Sequence, residues 1–226
     1  STPLGSPVTS ERLLKASDEP ENWLMYSGQY NSQRHSRLTA IDKSNVDQLK
    51  VKWVKQLETL ADVETTPLVV DGVMYLTQSP SNVFALDAST GSQFWSYEHS
   101  LPEKLSLCCG RQNRGVAILG ETLFLGTLDA KLIALDAKTG TVQWETQSAD
   151  PATGYSKTAA PLVIGDKVIS GIAGGEYGIR GFLDAYDVET GELAWRFYTI
   201  PGEGEPHNDT WEGDSWKTGG APTWVT

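Results

Sequence analysis

Runs of branched and aromatic residues, each closed by a polar turn, recur at a fixed spacing through the middle of the chain. The phrase Ala85-Leu-Asp-Ala-Ser-Thr-Gly91-Ser-Gln-Phe-Trp95 returns as Ala134-Leu-Asp-Ala-Lys-Thr-Gly140-Thr-Val-Gln-Trp144 and as Ala185-Tyr-Asp-Val-Glu-Thr-Gly191-Glu-Leu-Ala-Trp195, at offsets of 49 and 51 residues. A second phrase precedes each copy: Asp71-Gly-Val-Met-Tyr-Leu, Gly120-Glu-Thr-Leu-Phe-Leu and Gly165-Asp-Lys-Val-Ile-Ser. Stretches such as Val73-Met-Tyr-Leu have the residues that suit a pleated, buried surface. In Asp-x-x-Thr-Gly the carboxylate can accept backbone N–H bonds and the glycine tolerates positive φ, so this is a turn. Each unit therefore predicts strand, turn, strand, turn, strand, ending in a tryptophan whose indole N–H needs an acceptor.

One such sheet cannot bury both faces, so units of this length must stack on their neighbours. Radial stacking of four-stranded sheets gives an all-β fold of the β-propeller type, and Trp95, Trp144 and Trp195 are expected between successive sheets. A linear all-β solenoid is the other arrangement, but its repeats are typically shorter. Trp53, in Leu49-Lys-Val-Lys-Trp-Val, reads as the last strand of a preceding unit, making about four units. Residues 1–45 form an N-terminal segment and first strand region with the helical stretch Ser10-Glu-Arg-Leu-Leu-Lys-Ala, and 46–226 form the repeat domain. The chain stops at Pro222-Thr-Trp-Val-Thr226, a β-type run with no closing strand after it. A ring left open exposes sheet edges, so the expectation is a part of a larger propeller, or a chain that self-associates or takes a partner through those edges.

At 226 residues and 39% hydrophobic composition the chain can bury a sizeable core. The formal net charge of −11 disfavours nucleic acid, which requires clustered Lys and Arg. No run approaches the roughly 20 apolar residues of a membrane span. The start, Ser1-Thr-Pro-Leu-Gly, reads as a mature end without a signal peptide. His35, His99 and His207 lack any local catalytic motif and read as surface or structural residues.

The two cysteines are adjacent, Cys108 and Cys109. A metal or redox site normally separates its cysteines by two or more residues. Consecutive Cα atoms lie about 3.8 Å apart, short of the roughly 4.4–6.8 Å that relaxed disulfides span. The dipeptide alone leaves two readings open: a pair of buried thiols acting as small hydrophobes, or a strained vicinal bond of the kind that persists at functional sites.

The repeats, together with Cys108-Cys-Gly-Arg-Gln-Asn-Arg-Gly115, resemble the tryptophan-docking propellers of quinoprotein dehydrogenases, the alcohol and methanol dehydrogenases that hold pyrroloquinoline quinone (PQQ). The resemblance runs from Trp23 to the C-terminus and implies an eight-bladed parent, of which this chain supplies the N-terminal part. It implies a disulfide between Cys108 and Cys109, packed on one face of the quinone, and an oxidising compartment, periplasmic or secreted. Glu64 resembles the acidic residue that hydrogen-bonds the cofactor, Arg114 the arginine that faces a cofactor carboxylate, and Thr158 a hydroxyl donor. In Ala173-Gly174-Gly175-Glu176 the loop would approach the cofactor, with Glu176 on the bridging metal, calcium or a lanthanide. Ala173 departs from the serine common in the family. Trp224 would stack opposite the disulfide, while Trp211 and Trp216 read as packing residues.

The activity implied is oxidation of a small primary alcohol by hydride transfer to the quinone, with electrons passing on to an acceptor such as a c-type cytochrome. No catalytic residue is matched within this chain; the family's aspartate base and further metal ligands are expected beyond it, and the chain alone is expected to be inactive. The alternative from another class is a non-catalytic propeller of the same repeat, acting as scaffold or protein-binding module.

Overall fold

The computed structural model describes residues 2–225 as three four-stranded antiparallel sheets with an N-terminal segment packed across them. The first sheet comprises β1 (Leu68–Val70), β2 (Val73–Gln78), β3 (Asn82–Asp87) and β4 (Gln93–Tyr97). The second comprises β5 (Val116–Leu119), β6 (Thr122–Gly126), β7 (Lys131–Asp136) and β8 (Val142–Gln147). The third comprises β9 (Leu162–Ile164), β10 (Lys167–Gly171), β11 (Phe182–Asp187) and β12 (Leu193–Tyr198). Each sheet is a meander whose spatial order follows the sequence.

The repeated turn forms as its chemistry dictates. Asp87 Oδ1 accepts the N–H groups of Ser89 and Thr90 at 2.8 and 2.9 Å, and Asp136 and Asp187 do the same in the next two copies. Gly91, Gly140 and Gly191 take φ of +73°, +76° and +71°, which a side chain would resist. A register shift recurs just after Ala85, Ala134 and Ala185, opposite the approach to each tryptophan. Such irregularities re-aim a strand and its side chains.

That aim joins one sheet to the next. The Trp95 indole donates to Ala137 O at 3.1 Å, in the turn of the second sheet, and its ring lies where a Gly140 Cβ would sit, 2.6 Å from the ring edge. Trp144 repeats this on the third sheet, donating to Val188 O at 3.2 Å over Gly191. Trp53 does so on the first, donating to Ala88 O at 3.1 Å over Gly91. Tyr75, fully buried, sends its hydroxyl to the same Ala137 carbonyl at 3.0 Å, as Thr2 does at 3.3 Å. The core runs through Tyr75, Trp95, Phe124, Leu135, Val168 and Tyr186 and so spans all three sheets.

The N-terminal segment seals this core. Its helix α1 (Ser10–Leu14) is capped by Thr9, whose hydroxyl accepts the Arg12 N–H, and it buries Leu13. Trp23 pairs with Val69 and Val8 with Gly120, tying the segment to two sheets. Arg12 holds Glu19 at 2.7 Å and Asp71 at 2.5 Å, with its side chain 14% exposed. Among the described residues no helix is long and apolar enough to cross a membrane.

Three expectations need correction. Three sheets stand where about four units were expected, because no strand forms in residues 46–63 or 199–225. The stretch around Trp53 has no neighbouring strand to complete a ladder, and Val51 and Val54 stay 80% and 82% exposed. Trp195 is 45% exposed rather than enclosed, since no further turn among the described residues receives its ring. The final run lies irregular along residues 222–225, and Thr226, like Ser1, is outside the described residues.

The seat of each indole gives a stability prediction. Gly165 has φ +62° and open space around it, so Gly165→Ala should cost about 1–2 kcal/mol from backbone conformation alone. Gly140→Ala carries that cost and also drives a methyl into Trp95, adding about 1–3 kcal/mol. Urea unfolding of the two variants should show the gap; equal losses would mean that Trp95 is not seated on Gly140.

Candidate functional site

The segments leading into β1, β5 and β9 lie side by side and are laced by their backbones. Thr66 N–H donates to Arg114 O at 3.0 Å, and Arg114 N–H donates to Thr158 O at 3.0 Å. Asn113 fixes the middle segment: its Nδ2 donates to Gly126 O at 2.8 Å and its Oδ1 accepts the Gly115 N–H. Gly115, at φ +130°, leaves no room for a side chain against Thr66 O. This anchoring directs Arg114 toward a cleft, where its Nη2 meets Glu64 Oε2 at 2.6 Å and its Nη1 lies 3.4 Å from Thr158 O.

Above Arg114 in sequence, Cys108 and Cys109 are joined by a disulfide across one trans-length Cα step of 3.8 Å. Cys109 and Gly110 both take positive φ, +65° and +102°, so the bonded pair ends in a sharp reversal. Gln112, 8% exposed, fills the inside of this turn and its Nε2 donates to Cys109 O.

The third wall comes from an extended hairpin. Residues 79–81 and 127–130 suffice to join the middle strands of the first two sheets, whereas residues 172–181 join β10 to β11. This longer loop carries Ala173, Gly174, Gly175 and Glu176. Its root is bridged to the Thr158 segment, with Ala173 N–H donating to Ser156 O at 2.7 Å and Ser156 N–H to Ala173 O at 3.2 Å. Gly174, at φ +114°, passes so close to Gly154 O that a Cβ would collide with it. Thr223 is sewn into the loop: its N–H donates to Ile172 O at 2.9 Å, while its hydroxyl accepts the Ile172 N–H and donates to Phe182 O. The adjacent Trp224 is thereby placed at the cleft, with the Arg114 guanidinium 5.1 Å from its ring centre.

The resulting cleft has a volume of about 210 Å³ and is lined by Glu64, Cys108, Cys109, Gln112, Arg114, Ser156, Thr158, Ala173, Gly174, Glu176, Pro222 and Trp224. Residues 23–226 match the family described as "Glucose/ethanol/alcohol dehydrogenase, beta-propeller domain", a PQQ family. The chain belongs to this family. It is 45% identical over 94% of its length to quinohemoprotein alcohol dehydrogenase ADH IIB of Pseudomonas putida, of which it spans 33%. Among solved structures, quinohemoprotein alcohol dehydrogenase ADHIIG from Pseudomonas putida HK5 superposes with a TM-score of 0.89 at 39% identity, over 98% of this chain and 35% of that one. A europium-containing methanol dehydrogenase also gives 0.89, at 35% identity, over 95% of this chain and 41% of that one. The chain thus spans about a third of the curated relative and under half of either structure.

Of the residues expected at the cofactor, all but Gly175 line the cleft; a Cβ at Gly175 would meet the Pro222 ring at 2.8 Å. Glu64 and Arg114, each assigned its own partner from sequence, pair with one another. Gln112, Ser156 and Pro222 were missed. Gln112 occupies a variable place inside the Cys-Cys-x-x-x-Asn-Arg spacing, and Ser156 becomes legible only once its bridge to Ala173 is known. Trp211 packs on Gly219 and Trp216 against Arg180, as packing residues should. His99 is structural, its Nε2 2.8 Å from Asp129 with both side chains 6% exposed.

The donor set fits a flat, oxygen-rich anion: a guanidinium with N–H groups to spare, cleft hydroxyls on Ser156 and Thr158, glycine backbone, and an aromatic ring. It offers much less to a metal ion. Glu64 is engaged, and among the described residues Glu176 has no ion-pair partner and no three His, Cys, Asp or Glu side chains cluster as a metal site. The bonded cysteines also make a simple prediction. Thiol titration of the denatured, unreduced protein should find none, and two should appear after reduction; two free thiols before reduction would remove the disulfide from the cleft wall.

Proposed function

We propose that this chain is the N-terminal, cofactor-holding part of an eight-bladed, PQQ-dependent alcohol dehydrogenase that oxidises a primary alcohol. The observation that carries the reading is the convergence, in one cleft, of residues from Glu64 to Trp224 that come from the loops of three successive sheets. In this reading residues 46–226 are the partial propeller and residues 1–45 its N-terminal brace. Arg114 binds a carboxylate of the cofactor, with its planar fork held in orientation by Glu64. Thr158 and Ser156 donate hydroxyl hydrogen bonds, and the disulfide and Trp224 exclude water from the two faces. Glu176 contributes one carboxylate to a calcium or lanthanide ion; similarity to a europium-containing methanol dehydrogenase supports the second choice as much as the first. When bound, PQQ supplies the two-electron acceptor for the alcohol's hydride. The vicinal disulfide and the family's chemistry favour an extracytoplasmic location, and a c-type cytochrome is the acceptor this reading assigns.

Titrating the 226-residue chain with PQQ and calcium, followed by tryptophan fluorescence and quinone absorbance, tests the proposal. Saturable binding is expected, and Arg114→Ala should weaken it about 10- to 100-fold, the worth of a hydrogen bond to a charged group. Binding that ignores Arg114, or none at all, would count against the assignment of this cleft. A dye-coupled assay of the same chain with ethanol or methanol should show no turnover. One carboxylate is far short of the six or more ligands that a hard cation takes, and a missing base costs about 10²–10⁴-fold. Turnover abolished by Glu176→Gln would show instead that the chain assembles a complete site.

A further inference from the structure

Between Ser156 and Thr158, both of which line the cleft, stands a lysine that faces the other way. Lys157 is 1% exposed, a rare state for an ionisable side chain. Its Nζ donates to Ser170 Oγ at 3.0 Å and to Gly171 O at 3.1 Å. Its stem lies against Gly126, where an added Cβ would come within 3.0 Å. The charged and titratable groups facing it are Asp184 and Tyr186 on β11 and Arg196 on β12; β6 and β10 present glycine, serine and backbone. Asp184 favours the ammonium form, but both its oxygens are already held by Arg196, at 2.7 and 2.8 Å, and Tyr186 donates to it as well. Burial therefore dominates and brings the lysine down to about 7.

Packing alone does not call for a lysine here, since an apolar chain of similar length would avoid the desolvation cost. The amine's particular contribution is its reach. Gly171 ends β10, two residues before Ala173, so the Ser156–Thr158 segment is tied to the root of the 172–181 loop twice. One tie is the Ser156–Ala173 main-chain bridge and the other is Lys157. We propose that Lys157 is a positioning residue, whose amine clamps the root of the loop carrying Gly174 and Glu176 to the segment carrying Ser156 and Thr158. The relevance of that clamp to cofactor binding rests on the function proposed above; the clamp itself does not.

Two acceptors suffice for the two N–H groups of a neutral amine, and the lowering by burial fixes the pH sign. The folded-state value lies below the usual 10.5, so an opened or unfolded chain binds more protons between about pH 7 and 10.5. The closed clamp must then strengthen as pH rises through that window. Hydrogen exchange on the cofactor-free 226-residue chain tests this. Protection factors at the Ser156 and Ala173 amides, corrected for intrinsic chemistry, should rise about 50-fold from pH 7 to 9, the change that a fall from 10.5 to about 7 implies. In Lys157→Met the same two amides should lose about tenfold protection at pH 9, the worth of one hydrogen bond, and their pH dependence should vanish. Flat protection in the wild type would overturn the proposal without recourse to any variant, and so would a folded variant with unchanged exchange. PQQ titration forms a separate arm: absence of binding by the wild type counts against the proposed function, whereas wild-type binding that Lys157→Met leaves unchanged shows that the clamp does not serve the cofactor.

Discussion

Everything in this molecule depends on how one sheet recognises the next, and that contact is small: an indole laid on a glycine, with its N–H on the carbonyl just after the turn aspartate. The contact demands several things of the sequence at once. The aspartate must fold the turn, the glycine must take positive φ and present no Cβ, and the strand must slip in register so that the tryptophan leans outward. Each piece is weak alone. Repeated at Trp95 and Trp144, the contact sets the three sheets at a fixed relation, and it is this relation that brings the three segments leading into β1, β5 and β9 close enough to share hydrogen bonds.

The cleft inherits its geometry from that lacing. Arg114 is not aimed by its own turn so much as by the backbone on either side of it, Thr66 before and Thr158 after. Its charge is already half-answered by Glu64 at 2.6 Å, so an anionic partner would meet an oriented guanidinium rather than a mobile one. Pairing with the exposed Glu64 also avoids leaving the part-buried Arg114 cation isolated in the wall, which burial would penalise.

Much of this was legible in the sequence because repeats expose themselves by comparison. The strands, the aspartate–glycine turns and the insertion at Ala173–Glu176 all stand out when three copies are read together, and the cysteine pair with Arg114 carries the resemblance to the family. What was not legible depends on contacts between distant segments. Trp195 reads like Trp95 and Trp144 in sequence, yet it stays exposed because a tryptophan's burial is decided by the turn it meets and not by its own unit. The stretch around Trp53 has the composition of a strand without the ladder partner that makes one. Ser156 and Gln112 look like ordinary polar residues until the bridge to Ala173 and the reversal at Cys109 place them on the cleft.

The stitch made by Thr223 bears on the order in which the cleft can be assembled. Trp224 reaches its place only after Thr223 has entered the gap between Ile172 and Phe182, and that gap exists only once β10 and β11 have paired around the long loop. The disulfide turn, Arg114 and Thr158 depend on contacts made earlier along the chain. The Trp224 side of the cleft therefore rests on the third sheet, whereas the lacing of Thr66, Arg114 and Thr158 lies ahead of that sheet in the chain.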